Sequence, residues 1–245
     1  MFDPAVVVPV YNHGDAAVRT VQSIGRLGLP CIVVDDGSDT PCAELLAAAA
    51  TRPGVELVRL PVNRGKGAAV MAGLRVAQQR GRTHAVQIDA DGQHEVADIP
   101  AFLALARQHP DALICGQPVF DATVPRARLI ARYATHVWVW INSLSFDIRD
   151  SMCGFRVYPL PSVLALIDSE PLGQHMDFDP EVLVRLHWRG VAVINCPTRV
   201  TYPRDGVSHF RLWHDNVLIS RMHTRLFFGM VLRLPRLLWR RVKPA

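Results

Sequence analysis

Along the first 116 residues, short apolar runs alternate with longer stretches in which apolar residues recur at helical spacing. The apolar runs have the length of buried strands, and the longer stretches have the period of helices packed against a sheet. Predicted strands cover 5–8, 31–34, 55–60, 84–88 and 112–115, and predicted helices cover 15–28, 42–50, 67–80 and 98–108. This alternation predicts an α/β fold in which a mostly parallel sheet has helices on both faces.

The second half of the chain has a different pattern. Helices are predicted at 126–146 and 179–189, with a strand at 191–194. The last 35 residues mix arginine with leucine, phenylalanine, tryptophan and methionine, and Pro235 is expected to divide them into two helices. Because no Gly/Ser-rich linker separates the halves, we expect one domain over 1–210 with an amphipathic tail at 211–245.

Composition narrows the class of protein. The chain has 245 residues, 49% of them hydrophobic, and a formal net charge of +5. Such a basic balance suits an anionic lipid surface, a phosphorylated substrate or nucleic acid, but no nucleic-acid-binding motif is visible, so we expect no nucleic-acid partner. The five cysteines form no CxxC pair, the start lacks a signal-peptide pattern, and no apolar run reaches membrane-spanning length. These features lead us to expect a cytoplasmic protein.

Polar clusters follow the predicted strands at the points where they end. They are Pro9–Asn12, Asp35–Ser38 and Asp89–Gln93, and the segment 63–67 opens the third predicted helix. In open α/β sheets, ligands bind at the carboxyl ends of the strands. One Asp-Gly cluster alone would be an ordinary turn, but several at one edge indicate a binding site.

Two of these clusters carry specific chemistry. Asp89 and Asp91 alternate along an extended segment, so their carboxylates can converge, and a cation between them would relieve their repulsion. Mg²⁺ and Mn²⁺ suit such oxygen ligands, with water and phosphate completing the shell; the alternative is a solvated turn. Lys66, between two glycines at a helix start, suits an anion, although the P-loop spacing is absent and a surface turn is the alternative.

The clusters together resemble family-2 glycosyltransferases of the GT-A fold, in particular the polyprenyl- and dolichyl-phosphate sugar transferases. The resemblance covers about residues 5–210. Its motifs are Val8-Pro9-Val10-Tyr11-Asn12, Val33-Val34-Asp35-Asp36-Gly37-Ser38, Asn63-Arg64-Gly65-Lys66-Gly67, Gln87-Ile88-Asp89-Ala90-Asp91-Gly92-Gln93-His94, Cys153-Gly154-Phe155-Arg156 and Tyr202-Pro203-Arg204-Asp205-Gly206-Val207-Ser208-His209. It implies a Rossmann-like sheet, a nucleotide-sugar donor, a lipid-linked or membrane-bound acceptor, and a divalent cation.

The resemblance also implies roles for individual residues. Pro9, Tyr11 and Asn12 would border the nucleoside, Asp36 would contact the base or ribose, and Lys66 would approach the nucleotide. Asp89 would lie against the ribose or metal, and Asp91 and Gln93 would help hold the ion. Asp150 and Arg156 would flank the segment that packs under the donor sugar, and Arg204, Ser208 and His209 would lie in a loop that closes over phosphate groups. This sequence departs from the family pattern at two positions: His209 stands where lysine is common, and Gln117 stands where the lipid-phosphate branch often has a basic residue. The segment 63–67 looks more similar to that of UDP-glucose users than to that of GDP-mannose users.

The reaction resembled is displacement at the sugar C1 with inversion. A lipid phosphate acceptor is already anionic and needs no base, whereas a hydroxyl acceptor needs a carboxylate. Asp179 is the candidate base and Asp177 the second choice. The alternative for either residue is helix N-capping, with Asp179 at the cap and Pro180 at the first helical position.

The arginine-rich tail and the helix predicted at 126–146 are candidates for contact with an anionic membrane surface, because apolar residues lie between arginines and tryptophans. The alternative is an ordinary pair of core-packing helices. Two rival functions also stay open. A nucleotidyltransferase would want a Gly-rich G-x-G-x-R loop after the first strand, where Tyr11-Asn12-His13-Gly14 stands. A membrane-associated scaffold with an inactive transferase fold would not need to retain Asp36, Asp89, Asp91 and Arg204.

Overall fold

The computed structural model describes residues 1–120, 124, 126–201 and 211–242. Its strands are β1 (Pro4–Val10), β2 (Cys31–Asp35), β3 (Val55–Arg59), β4 (His84–Gln87), β5 (Leu113–Phe120), β6 (Arg156–Pro159) and β7 (Val193–Val200). Its α-helices are α1 (Gly14–Arg26), α2 (Thr40–Ala49), α3 (Lys66–Gln79), α4 (Ile99–Gln108), α5 (Arg126–Ser143), α6 (Leu160–Ser169), α7 (Phe178–Arg189) and α8 (Leu212–Val242).

The seven strands form one sheet in the order β3-β2-β1-β4-β6-β5-β7. All neighbours are parallel except β6, which runs antiparallel to β4 and β5. The predicted α/β fold with a mostly parallel sheet is confirmed. Because β1, β2 and β4 are parallel neighbours, the segments that follow them lie at the same edge of the sheet.

Alternate residues of the central strands pack on opposite faces of the sheet, as the two-residue period of a strand requires. On one face Ala5 and Val7 pack with α3, α6, α7 and α8, and on the other Val6 and Val8 pack with α1 and α4. All five cysteines are buried free thiols within this packing.

Three elements, β6, α6 and β7, differ from the sequence prediction. The strand β6 and the helix α6 were not predicted, since Arg156-Val157-Tyr158-Pro159 lacks the apolar run of the other buried strands. The strand β7 continues to Val200, well beyond the predicted end at 194, because it pairs with β5 along its whole length.

The prediction that Pro235 divides the tail was wrong, because α8 continues through it. Pro235 and Val231, one turn earlier, are both exposed, so the carbonyl that loses its helical partner can bond to water instead.

One side of α8 packs as a core helix would, with Met222, Leu226 and Met230 buried against the domain. Its other side is exposed. No helix in the described residues has the length and apolar character needed to cross a membrane.

Candidate active site

The loops that follow β1 and β2 are joined by side-chain hydrogen bonds. The Asn12 backbone N–H donates to Ser38 Oγ (3.0 Å), and the Asp39 N–H donates to Asn12 Oδ1 (2.9 Å). Asn12 has a φ of 53°, a left-handed conformation that asparagine tolerates better than most residues. Pro9, at the end of β1, is buried, and Tyr11 is half-buried. The structure therefore places the predicted nucleoside-pocket residues 9–12 beside the Asp35–Ser38 cluster.

Asp36 anchors the turn that leads into α3. Its Oδ1 and Oδ2 accept the backbone N–H groups of Arg64 and Gly65, both at 2.8 Å. Burial raises the pKa of Asp36 above its usual value, although the two N–H donors oppose that shift. Gly65 has a φ of +99°, and a Cβ there would lie 2.3 Å from His175 Nδ1, so only glycine fits. This turn is thereby fixed against the end of β2.

Lys66 joins two carboxylates that come from distant parts of the chain. Its Nζ lies 2.8 Å from Asp89 Oδ2 and 2.8 Å from Asp179 Oδ2. Burial opposes the charge on Lys66, but the two carboxylates outweigh it and raise the lysine pKa, so the group stays an ammonium. Burial likewise opposes ionisation of Asp89, yet Lys66 and then His94 hold the pKa of Asp89 below its usual value. The start of α3, the end of β4 and the first turn of α7 thus share one ion cluster.

A second cation lies behind Asp179. Arg156, at the start of β6, is fully buried, and its Nη1 lies 3.3 Å from Asp179 Oδ1 and donates to the Asp179 carbonyl at 2.8 Å. Gln87 Nε2 also donates to Asp179 Oδ1 (3.2 Å). Tyr158 bridges the two, since it donates to Gln87 Oε1 (2.9 Å) and accepts from Arg156 (3.3 Å). Most of the hydrogen-bonding capacity of Asp179 is therefore used within the protein.

Asp177 and Asp179 have different surroundings. The helix α7 begins at Phe178, so Asp177 holds the N-cap position, and its side chain makes no capping hydrogen bond. Asp177 Oδ1 instead accepts the His175 N–H (3.1 Å). The capping alternative for Asp179 is wrong, since Asp179 lies inside the helix and faces Lys66. Of the two, only Asp179 is brought to the ion cluster.

Asp89 and Asp91 together could provide carboxylate ligands for a divalent cation. Burial and then the charge of Asp89 raise the pKa of Asp91, and Asp89 Oδ1 is buried without a hydrogen-bond partner in the described part of the chain. Oxygen ligands of this kind suit Mg²⁺ or Mn²⁺. No group of three His, Cys, Asp or Glu residues among those described is arranged to hold an ion. Phosphate oxygens and water would therefore have to complete its shell.

Gln93 ties the loop that carries Asp91 both to Asp91 itself and to the end of β7. The Gln93 N–H donates to Asp91 Oδ1 (3.0 Å), and the Gln93 carbonyl accepts from Thr201 (3.0 Å). An isolated antiparallel β-bridge pairs His94 with Val200, so the end of β7 lies against this loop just before residue 202. The predicted phosphate-loop residues Arg204, Ser208 and His209 lie outside the described residues.

Gly154 makes room for the Asp89 carboxylate. A Cβ at residue 154 would lie 2.3 Å from Asp89 Oδ2, and the obstructing atoms belong to a side chain that can rotate away. We therefore expect Gly154→Ala to displace Asp89 from Lys66 and to lower turnover by about 10-fold or more at a stability cost of about 1–2 kcal/mol. Steady-state kinetics and thermal unfolding would measure both effects.

Gly25→Ala is the matched control, because a Cβ at that helical position meets nothing within 4 Å. It is expected to keep full turnover and to gain about 0.5–1 kcal/mol. Full turnover by Gly154→Ala would show that the position of Asp89 does not matter to the reaction.

The comparison with protein families identifies the chain. The family model for glycosyl transferase family 2 matches residues 5–172, more than half of the chain. This chain is a family-2 glycosyltransferase. The predicted family is thereby confirmed, and the mostly parallel sheet with its antiparallel strand β6 agrees with the GT-A fold that the resemblance implied.

Several curated proteins are similar to the transferase. An uncharacterised protein of Methanocaldococcus jannaschii is 24% identical over 210 residues, 83% of this chain and 90% of that protein. A dolichyl-phosphate beta-glucosyltransferase of Dictyostelium discoideum is 25% identical over 202 residues, 73% of this chain and 60% of that protein. An undecaprenyl-phosphate 4-deoxy-4-formamido-L-arabinose transferase of Pectobacterium atrosepticum is 35% identical over 117 residues, 44% of this chain and 35% of that protein. The transferase thus spans less than two thirds of the last two.

Among solved structures, the transferase is similar in fold to glucosyl-3-phosphoglycerate synthase of Mycobacterium tuberculosis in complex with Mn²⁺, uridine diphosphate and phosphoglyceric acid. The TM-score is 0.68 at 16% identity, and the match covers 94% of this chain and 78% of that one. This likeness supports the fold.

Proposed function

We propose that this transferase moves a sugar, with inversion, from a nucleotide-sugar to a lipid-linked phosphate such as polyprenyl phosphate, with the help of Mg²⁺ or Mn²⁺. UDP-sugars are favoured as donors over GDP-sugars. The observation that carries the proposal is the ion cluster of Lys66, Asp89 and Asp179 beside Asp91, at the sheet edge where open α/β folds bind ligands.

On the donor side, the leaving group is a nucleoside diphosphate, and its negative charge grows as the sugar departs. Asp91 and Asp89 would hold the divalent cation, which supplies positive charge to the diphosphate when bound. Lys66 is placed to add its own charge from the start of α3, where the backbone N–H groups also favour an anion. A protein of similar fold has been solved with Mn²⁺ and uridine diphosphate, which supports this role of the cation.

On the acceptor side, the hydrogen bonds of Asp179 favour an acceptor that needs no base. Asp179 Oδ1 accepts from Gln87 and faces Arg156, and Oδ2 is paired with Lys66. A hydroxyl acceptor must lose a proton, and Asp179 could accept that proton only at an oxygen that already has one of these partners. A phosphate oxygen attacks without losing a proton. The names of the dolichyl-phosphate and undecaprenyl-phosphate relatives support the same class of acceptor.

A product assay with Mn²⁺ and polyprenyl phosphate tests this function. Donors from the UDP-, GDP- and TDP-sugar classes would be compared, with the matching polyprenol as the hydroxyl acceptor. We expect release of free nucleoside diphosphate with polyprenyl phosphate and none above background with polyprenol. Release of pyrophosphate would indicate nucleotidyl transfer instead, and donor binding without turnover on any acceptor would indicate a scaffold.

We further propose that the outer faces of α5 and α8 dock on an anionic membrane surface at the cytoplasmic leaflet. The two helices pack side by side, with the Trp138 ring 6.0 Å from the His223 ring. Their exposed apolar residues include Ile130, Tyr133, Val137, Trp138, Ile141, Phe228, Val231, Leu232, Leu238 and Trp239. Exposed Arg221 and Arg236 lie on the same helix α8, and arginine beside apolar side chains complements anionic headgroups above an acyl layer.

Substitution of exposed residues tests this surface without opening the core. Phe228, Leu232 and Leu238 are 64%, 82% and 48% exposed, so replacing all three by serine leaves the buried side of α8 intact. We expect co-sedimentation with phosphatidylglycerol-containing vesicles to fall about 10-fold or more, because each side chain loses about 1 kcal/mol or more of apolar contact.

Val62→Ser is the control, since Val62 is 62% exposed in the turn before α3, away from α5 and α8. Undiminished sedimentation of the triple variant would rule out this surface. A change of oligomeric mass in place of vesicle binding would indicate a protein–protein interface.

A further inference from the structure

The fully buried carboxylate of Glu181 joins α8, whose outer side is exposed, to the loop 173–175 beside the ion cluster. Glu181 Oε2 accepts the Gly173 backbone N–H at 2.7 Å, and Oε1 accepts from Arg185 Nη2 at 2.8 Å. Arg225 Nη2, on α8, lies 3.2 and 3.3 Å from the two oxygens. A single side chain on α7 therefore holds the preceding loop, its own helix and α8.

The loop that Glu181 holds packs on the turn that carries Lys66. The Ala68 N–H donates to the Gln174 carbonyl at 3.0 Å. The Gly173 carbonyl lies 2.8 Å from the position that a Cβ on Gly67 would take, so the two segments are in close contact. A displacement of the loop 173–175 therefore reaches the start of α3, from which Lys66 extends to Asp89 and Asp179.

The first turn of α8 also contacts this loop directly. The His214 ring meets the His175 ring edge-on with 5.6 Å between their centroids. The position of α8 is thus linked to the loop through His214 and through Arg225. The Arg225 side chain is 55% exposed, whereas the Arg185 side chain is only 15% exposed. The contact with α8 is consequently the one that can open without disturbing α7.

From this chain of contacts we infer that Glu181 is a positioning residue that couples docking of α8 on the membrane to binding of the nucleotide donor. The inference rests on the proposed function. Docking restrains α8, Arg225 carries that restraint to Glu181, and the loop 173–175 then holds the Lys66 turn in its binding geometry. By linkage, donor binding must strengthen docking by the same factor as docking strengthens donor binding.

Calorimetry with uridine diphosphate and Mn²⁺, with and without phosphatidylglycerol-containing vesicles, tests this coupling on the full chain. For the wild type we expect vesicles to raise the affinity about 5-fold or more, within the usual range of coupling between sites. Arg225→Gln is expected to abolish this increase, and Arg225→Lys to restore most of it, because lysine keeps a charge that can reach Glu181.

The matched control is Arg221→Gln. Arg221 lies one turn earlier on α8, is exposed, and makes no ion pair among the described residues. The Arg221→Gln variant loses the same charge as Arg225→Gln, so it should bind vesicles equally weakly. It should nevertheless keep the vesicle-dependent increase in affinity for uridine diphosphate. An increase that is equal in the two glutamine variants, or absent in the wild type, overturns the coupling. If the wild type binds no uridine diphosphate at all, the proposed function fails and the coupling fails with it.

Discussion

Replacing Lys66 by methionine is expected to lower kcat/KM by about 100- to 1000-fold and the free energy of unfolding by about 3–5 kcal/mol. The ammonium is the shared partner of Asp89 and Asp179, and all three groups are largely shielded from water. Without it, the cations that still act on Asp89 in the described part of the chain are the more distant His94, 3.9 Å away, and Arg156. The pKa of Asp89, now held low by Lys66, should rise towards that of a buried acid. Steady-state kinetics and urea unfolding would measure the two losses.

Two controls separate the charge of Lys66 from its size and from general effects of losing an ion pair. Lys66→Arg keeps the charge and should retain more activity than the methionine variant. Arg75→Met breaks the exposed pair with Asp168, and exposed pairs contribute about 0–1 kcal/mol. Turnover of Lys66→Met within about 10-fold of the wild type would remove the ion cluster from the mechanism.

Replacing Asp91 by asparagine is expected to remove most of the gain in nucleotide affinity that Mn²⁺ gives. Several kcal/mol of interaction with the ion correspond to a loss of about 100-fold or more. The fold should be preserved, because the asparagine oxygen can still accept the Gln93 N–H that Asp91 Oδ1 accepts. Calorimetry with uridine diphosphate, with and without Mn²⁺, measures the difference directly.

A neighbouring acid provides the comparison for Asp91. Glu95 is exposed on the same loop and accepts the Ala97 N–H, so Glu95→Gln changes the loop charge without touching the Asp89–Asp91 pair. It should bind nucleotide with the full gain from Mn²⁺. An equally full gain in Asp91→Asn would mean that Asp91 does not hold the ion.

The sequence predicted the edge of the sheet at which the candidate site lies, because parallel strands bring the segments after them together. Asp36, Lys66 and Asp89 could be found in this way, since each lies next to a strand end or helix start with a clear local pattern. Their general placement needed no long-range information.

The partners of these residues could not be predicted, because they depend on contacts between distant segments. Nothing local shows that Lys66 meets Asp179, or that Arg156 is buried against it. A fully buried arginine is stable only with a partner that tertiary packing supplies. Gln87 did leave a signal, since it is a polar residue in an otherwise buried strand. Glu181 and Tyr158 were not among the predicted site residues, because their roles likewise depend on contacts with distant segments.

The reversed direction of β6 has a consequence for how the site tolerates change. The parallel strands deliver side chains to the ligand edge where they end, but β6 delivers Arg156 where it starts, opposite Gln87. Side chains of a strand alternate between faces, so a register slip of one residue would turn Arg156 away from Asp179 and bring Val157 in its place. Insertions just before residue 156 should therefore lower activity as much as substitutions of the site residues that follow β4. This holds even though the insertions fall in a segment without regular secondary structure.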